Sequence, residues 1–362
     1  MHRESVIIDH RAITATPASH RDHVAERNQN IGRVIANNIL HIPYGGIAEP
    51  SRETYSLHGG SLTPRKAAQL AIAGANDLYG AVVTDAEQIH KSMFHPSISG
   101  KDTSSFHSAD LARGLEKTEA VLPGVTAFRP EDLVDYLREM QGTGKKYRLK
   151  IPNASDGEGQ HGGITTVAEL RKGMQLVGTQ RIGIDGIVLE EEIIDPQTIS
   201  VGSVVLGGEV YSFHLRQKDE VIAEGDKKRT RYLGAENIVV SRGSLSDISL
   251  TEGSPEEIAR EKAATFEQLY QGHLNPTLSR WSVDVVMNDR QAGITDLTAG
   301  RVGGTDPGLV LAVRELHNDP KLKTVTADVT LDYGKQKDVP EGAWVFINKR
   351  DLRAYSSITS KK

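Results

Sequence analysis

The stretch YRLKIPNASDGEGQHGG, residues 147–163, carries Lys150 near the end of a short apolar and basic run. Four glycines, two acids and no large apolar side chain follow it. KYRLKI, from Lys146, reads as a strand, and so flexible a segment after a strand is either a long turn or a cradle. Glycine admits positive φ and adds no bulk, so successive backbone N–H groups can converge on phosphate oxygens, with a lysine adding a point charge. The order of residues excludes two common phosphate loops. Lysine precedes the glycines with no Gly-Lys-Ser/Thr after it, and no Gly-x-Gly-x-x-Gly opens a helix. Taken alone, the segment is better read as a surface turn.

The rest of the chain sets limits on that choice. Its 362 residues are enough for two or three packed subdomains. With 38% hydrophobic and 25% charged residues and 35 glycines, it has the composition of a soluble globular α/β protein. A net charge of −5 gives no global attraction to nucleic acid, so any polyanion site must be local. The absence of cysteine excludes disulfides, thiolate metal sites and a cysteine nucleophile. The start, MHRESVIIDHRAITATPASHRDH, has no apolar signal region, and no segment approaches about 18 apolar residues. A cytoplasmic protein without a membrane partner is expected.

Residues 1–30 are polar, rich in His and Arg, and are expected to include a loosely ordered start. GRVIANNILHIPY (32–44) suits a buried helix or strand, ended by Pro43. TPRKAAQLAIAGANDLYGAVV (63–83) reads as a helix capped by Thr63 with Pro64 in its first position. SISGKDTSS reads as an exposed loop, and RPEDLVDYLREM (129–140) as an amphipathic helix with acids in its first turn. Beyond the glycine loop, 165–177 reads as a helix and IDGIVLEEEII (184–194) as a strand running into acids. Residues 198–219 form a hairpin across Gly207-Gly208. A helix over 255–274 under a Ser254 cap, two strands over 281–300 and a helix over 304–319 complete the order. This suits an α+β domain whose antiparallel sheets clamp a ligand rather than a doubly wound sheet.

Three further constellations carry chemistry. Glu190, Glu191 and Glu192 end an apolar strand and cannot all be buried, so one carboxylate could reach the exocyclic amine of a purine. Asp284 and Asp296 lie on facing strands, with Thr298 on the face of Asp296; these hard oxygen donors suit Mg²⁺. Arg301 precedes Val302-Gly303-Gly304, a backbone small enough to admit an anion. The one dense basic segment, RQKDEVIAEGDKKRTRYLG (216–234), is either a solvated loop or a cover for a triphosphate.

In this order, across residues 146–306, the features resemble the ATP-grasp superfamily. From about Leu78 onward the phrases LYGAVVTDAEQIHKSMFHP, VLPGVTAF, RLKIPNASDGEGQ, GIVLEEEI, TISVGSVV and RVGGTDPG resemble an uncharacterised bacterial ATP-grasp-like family of unknown function. The resemblance implies the ATP-grasp fold: two α+β subdomains clamping the nucleotide, behind an N-terminal pre-ATP-grasp α/β subdomain. The divisions would be 1–84, 85–195 and 196–362. It implies ATP and Mg²⁺ as cofactors. Lys150 and Lys91 would contact phosphates, under a loop containing Ser155, Gly157 and Gly159. Glu190 would meet the adenine amine, with the backbone of Glu192 and Ile193 at the ring edge and Gln197 at the ribose. Asp284, Asp296 and Thr298 would hold the metal, and Arg301, with Lys228 and Arg231, would form the catalytic set.

The superfamily usually has Glu-x-Asn before its arginine. Here Asp296-Leu297-Thr298 stands there with one extra residue before Arg301, and an ungapped alignment places Leu297 at the acid position. The activity implied is an ADP-forming carboxylate–amine ligase acting through an acyl phosphate. A small-molecule kinase and a nucleotide-binding regulator without turnover are the alternatives. Expected partners are a small-molecule carboxylate and an amine or other nucleophile, with room for a homodimer.

Overall fold

The structure, a computed structural model, describes residues 3–9, 21–58, 60–83, 91–98, 107–152, 159–224, 227–334 and 338–362. The side chains of 221–224 and 227–230 are outside that set. Of the stretch expected to include a loosely ordered start, residues 1–2 and 10–20 lie outside the described residues, whereas 5–9 and 21–30 form a strand and a helix. Ser5–Asp9 (β1) is a buried strand inside a four-stranded parallel sheet, beside Tyr44–Ala48 (β2) and Thr54–Leu57 (β3), with Leu78–Tyr79 (β4) at the edge. SVIID is a short apolar run between charges, the signature of a strand covered on both faces. Helix α1 (Arg21–Val34), continued by a π-turn to Leu40, crosses from β1 to β2 and packs Ile31, Ile35 and Ile39 on Val6 and Ile8. The predicted helix over 63–83 shrinks to α2, Pro64–Gln69. Thr63 caps it as expected, but Ala71 turns to φ 51 and Gly74 follows. LYGAVV then forms β4 and Ala81–Val82 (β5).

After helix α3 (Ala109–Lys117), a second sheet is assembled from Gly124–Ala127 (β6), Tyr147–Lys150 (β7), Gln160–Ile164 (β8) and Ile187–Glu191 (β9). Its order is β6-β9-β7-β8, with every pairing antiparallel. Helices α4 (Pro130–Met140) and α5 (Val167–Val177) bury Leu133, Leu137 and Leu170 against Tyr147, Leu149 and Leu189. A Thr166–Glu169 capping box starts α5. A short helix α6 (Ile182–Asp185) leads into β9. The glycine segment is therefore only partly a loop. Gly162 and Gly163 lie on strand β8, while residues 153–158, including Ser155 and Gly157, lie outside the described residues.

The third unit is an eight-stranded antiparallel sheet. Gln197–Leu206 (β10) and Glu209–Glu224 (β11) form the expected hairpin, and Lys227–Arg242 (β12) extends it. The segment 216–234 is thus mainly the paired arms of two long strands, and its reading as a solvated loop is corrected. Helix α7 (Pro255–Leu274) covers one face with Ala259, Ala263, Phe266 and Tyr270. Thr277–Leu278 (β13) pairs with β5 in a separate two-stranded sheet, which ties this unit to the segment that follows β4. Arg280–Met287 (β14) and Ala292–Ala299 (β15) form the other expected hairpin. Helix α8 (Asp306–Asn318) is buried between the N-terminal unit and the eight-stranded sheet. Thr324–Asp332 (β16), Trp344–Asn348 (β17) and Arg353–Lys361 (β18) close the sheet in the order β15-β14-β10-β11-β12-β16-β18-β17. Among the described residues, no helix is long and apolar enough to cross a membrane.

The ends of β1 and β3 are joined by a buried hydrogen-bonded chain. His58 Nδ1 stands 3.0 Å from Asp9 Oδ2, and His58 Nε2 stands 2.8 Å from Ser56 Oγ. Replacing Asp9 with Ala takes away the partner of a ring nitrogen of buried His58. The expected loss is about 1–3 kcal/mol of unfolding free energy in urea, against about 0.5–1.5 kcal/mol for Ser56→Ala. An Asp9→Ala value no larger than that of Ser51→Ala, an exposed control, would refute the role of this chain.

Candidate active site

A cavity of about 430 Å³ opens between the β7–β8–β9 sheet and the face of the eight-stranded sheet. Its roof carries Lys150 at the end of β7, Gln160 on β8, and Glu190 to Ile193 at the end of β9. Its floor follows the two-residue period of the strands: Thr198 and Ser200, Gln217 and Asp219, Ser282 and Asp284, Asp296 and Thr298. The rim is the segment from Arg301 to Thr305, and Lys91 enters from the buried turn Lys91–Phe94.

The roof charges are matched. Lys150 Nζ pairs with Glu190 Oε1, while His95 Nε2 stands 3.2 Å from Glu190 Oε2; all three side chains are buried. Burial alone would raise the Glu190 carboxyl, but the Lys150 charge and the His95 hydrogen bond outweigh it and hold it below its ordinary value. Glu191 pairs with Lys145. Glu192 pairs with Arg148 and accepts the Gly163 N–H at 2.5 Å. A Cβ at Gly162 would meet the Glu192 carboxylate at 2.2 Å, so a larger residue there would push that side chain aside. The triple glutamate is therefore neutralised residue by residue while still lining the cavity.

The floor is different. Asp284 and Asp296 are direct partners across β14 and β15, so their carboxylates project to the same side. Lys91 Nζ stands 3.2 Å from Asp296 Oδ2. Ser200 donates to Asp284 at 2.6 Å and accepts from Gln217 at 3.0 Å. Loss of solvation and then the Asp296 charge raise the Asp284 carboxyl, against the pull of Ser200, Gln217 and Lys91. Leu297 turns into the core, so Asp296 is the acid that faces the cavity. Two carboxylates and the Thr298 hydroxyl are hard donors that fit a magnesium ion shared with phosphate oxygens. Among the described residues, no group of three or more His, Asp or Glu gathers at a metal-binding spacing.

Of the residues singled out in the sequence, the cavity brings together Lys91, Lys150, Glu190, Glu192, Ile193, Asp284, Asp296, Thr298 and Arg301. Gln197 is not on its wall. It is exposed, and the neighbouring Thr198 takes the inward position. Arg231 is engaged elsewhere, pairing with Glu220 and lying 4.8 Å from the centre of the Tyr333 ring. Gly159 immediately precedes β8, its carbonyl accepting from Ile151 N at 2.8 Å. Ser155, Gly157 and the Lys228 side chain lie outside the described residues. The sequence reading missed His95, Ser200, Gln217, Asp219, Tyr232, Arg280 and Asp306. Strand alternation could have found Ser200, Gln217 and Asp219, each in register with a face already marked by an acid.

The chain belongs to the family described as protein of unknown function (DUF3182), whose model matches residues 12–359. No curated protein matches it. Among solved structures it is similar to the biotin carboxylase domain of 2-oxoglutarate carboxylase from Hydrogenobacter thermophilus, a dimer complexed with MgADP, ADP and bicarbonate. The TM-score is 0.56 at 11% identity, over 99% of this chain and 87% of that one. Phosphoribosylamine–glycine ligase from Thermotoga maritima matches with TM-score 0.54 at 14% identity, over 99% and 98%. Biotin carboxylase from Campylobacter jejuni, in complex with β,γ-ATP, matches with TM-score 0.50 at 10% identity, over 98% and 87%. The chain has the ATP-grasp fold these proteins share.

The Asp284 carboxyl is raised in the folded state, so its protonated form is the stabilising one. That contribution is present at low pH and is lost as pH rises through the raised value. Asp284→Asn is expected to stabilise the ligand-free protein at pH 7 by about 0.5–2 kcal/mol, with a gain that shrinks toward pH 4. Thermal unfolding across that range checks it, and a destabilised variant at pH 7 would count against the electrostatic account.

Proposed function

We propose that this member of the DUF3182 family is an ATP-dependent ligase. It would activate a small-molecule carboxylate as an acyl phosphate, pass the acyl group to an amine or other nucleophile, and release ADP. The observation that carries this reading is one cleft lined by Lys150 from the roof, Lys91 from the turn beside it and the Asp284–Asp296 pair from the floor. Lys150, held by Glu190, would neutralise phosphate charge at the roof. Leu122, Ile193 and Val286 supply the apolar surface that a purine needs. Magnesium, held by Asp284 and Asp296 with Thr298 beside them, would offset the charge on the phosphates. Arg301 would face the transferred phosphoryl group. No residue of the cleft need act as a covalent nucleophile; positioning and charge neutralisation suffice for this chemistry. Subdomains divided near residues 84 and 195 fit this assignment.

A second reading, a regulator that binds nucleotide without turnover, is favoured by the spare donor set, in which Thr298 stands where the superfamily commonly has Asn. ADP release across a panel of acids and amines separates the readings. The ligase requires an acid and a nucleophile together, a kinase would use a hydroxyl compound alone, and the regulator would bind ATP and form no ADP. Lys150→Ala is expected to weaken ATP binding at least tenfold by calorimetry; unchanged affinity would contradict the assignment of the roof.

A further inference from the structure

Beyond the acid pair, the cleft holds two groups that this reading leaves unused. Asp219 and Tyr232 are direct partners across β11 and β12, and both line the cavity. The Asp219 carboxylate is exposed to the cavity, and partial burial raises its carboxyl. It has no hydrogen-bond or ion-pair partner among the described residues. Tyr232 Oη is buried and also unpartnered among them. Burial, then the charges of Asp219, Asp306 and Asp284, push the Tyr232 hydroxyl above its ordinary value, against Arg27, so it stays neutral. Its ring lies under the rim, where a Cβ on Gly304 would come within 2.7 Å of Tyr232 Cε1. Gln217, two residues before Asp219 on the same face, reaches Ser200 and through it Asp284. The two unused groups thus lie on β11 and β12, with the single strand β10 between them and the acids proposed to hold the metal.

An uncompensated carboxylate beside a hydroxyl with no partner is complementary to a ligand that brings positive charge and several N–H donors. A neutral alcohol would supply one hydrogen bond and leave the charge unmatched. We propose that Asp219 and Tyr232 form the acceptor subsite and that the acceptor is a primary amine, bound as its ammonium ion. The assignment rests on the ligase reading. The ammonium passes one proton to Asp219, and the amine nitrogen forms its bond to the acyl carbon. The bond from that carbon to the phosphate oxygen breaks, and the departing phosphate takes the second nitrogen-bound proton.

Thermal-shift titrations of the full chain with ethylammonium and longer primary alkylammonium ions, in the presence of magnesium and a non-hydrolysable ATP analogue, test the subsite. The matching alcohols serve as isosteric controls. At least one alkylammonium ion is expected to stabilise the protein while its alcohol does not. Asp219→Asn should raise the half-saturating concentration tenfold or more, and Tyr232→Phe about threefold. Asp219→Asn removes an unmatched charge at nearly constant shape, so the variant should fold and keep the shift produced by nucleotide. The proposal is overturned if alcohols stabilise as well as amines, if both variants titrate like the parent, or if no alkylammonium ion acts on the parent. Loss of the nucleotide shift in the parent itself would instead sink the ligase reading, and this proposal with it.

Discussion

One buried carboxylate ties the N-terminal sheet to the eight-stranded sheet and to the rim of the cavity. Asp306 is fully buried, and Arg280 grips it from two directions, Nε to Oδ1 at 2.9 Å and Nη2 to Oδ2 at 3.2 Å. The Tyr79 hydroxyl donates to Oδ1, and the Gly303 N–H donates to Oδ2 at 2.5 Å. An ion pair in such a place offsets its lost hydration only when every remaining lone pair is satisfied, and removing one partner costs about 3–5 kcal/mol. Here the partners come from the N-terminal sheet, the eight-stranded sheet and the rim of the cavity. The position of Arg301 follows, because Gly303 is fixed by Asp306 and the Val302 carbonyl by Arg27 Nη2 at 2.9 Å.

From that anchor the cleft divides into a balanced half and an unbalanced one. The roof pairs each glutamate with a cation and is complete without a ligand. The floor places Asp284 against Asp296 and leaves Asp219 unmatched, an arrangement that lowers the stability of the empty protein. Such a surface is stabilised by whatever brings positive charge to it, by the linkage between binding and folding. Native sites commonly give up stability in this way.

The contrast also shows which features could be read from residue order alone. Lys150 at a strand end, the Gly207-Gly208 hairpin, the long helix at 255–274 and the Asp284–Asp296 pair were legible, because period and turn chemistry are local. The strand Ser5–Asp9 was not, since its charged flanks hid a run of four apolar and acidic residues that only a parallel neighbour on each side explains. Helix propensity over 63–83 was overridden where LYGAVV found strand partners far along the chain. The pairing of Gly162 and Gly163 into β8 likewise depends on β7 lying beside them. Choosing Thr198 over Gln197 needed the strand's phase, which a motif does not supply. Arg280 and Asp306 had no local mark at all; their meaning lies in a contact with Tyr79, more than half the chain away.

Lys91 completes the logic of the site. In the ligand-free protein its ammonium bonds Asp296, joining the turn beneath the roof to the floor. A divalent ion between Asp284 and Asp296 would compete for the same carboxylate, and the stronger charge at shorter range would win. On the proposed function, an ammonium displaced from Asp296 would share the cavity with Lys150 and could meet the phosphates there. On that same proposed function, filling the floor with metal and turning Lys91 toward the nucleotide would be one event, so that one buried lysine would serve both the empty and the occupied cleft.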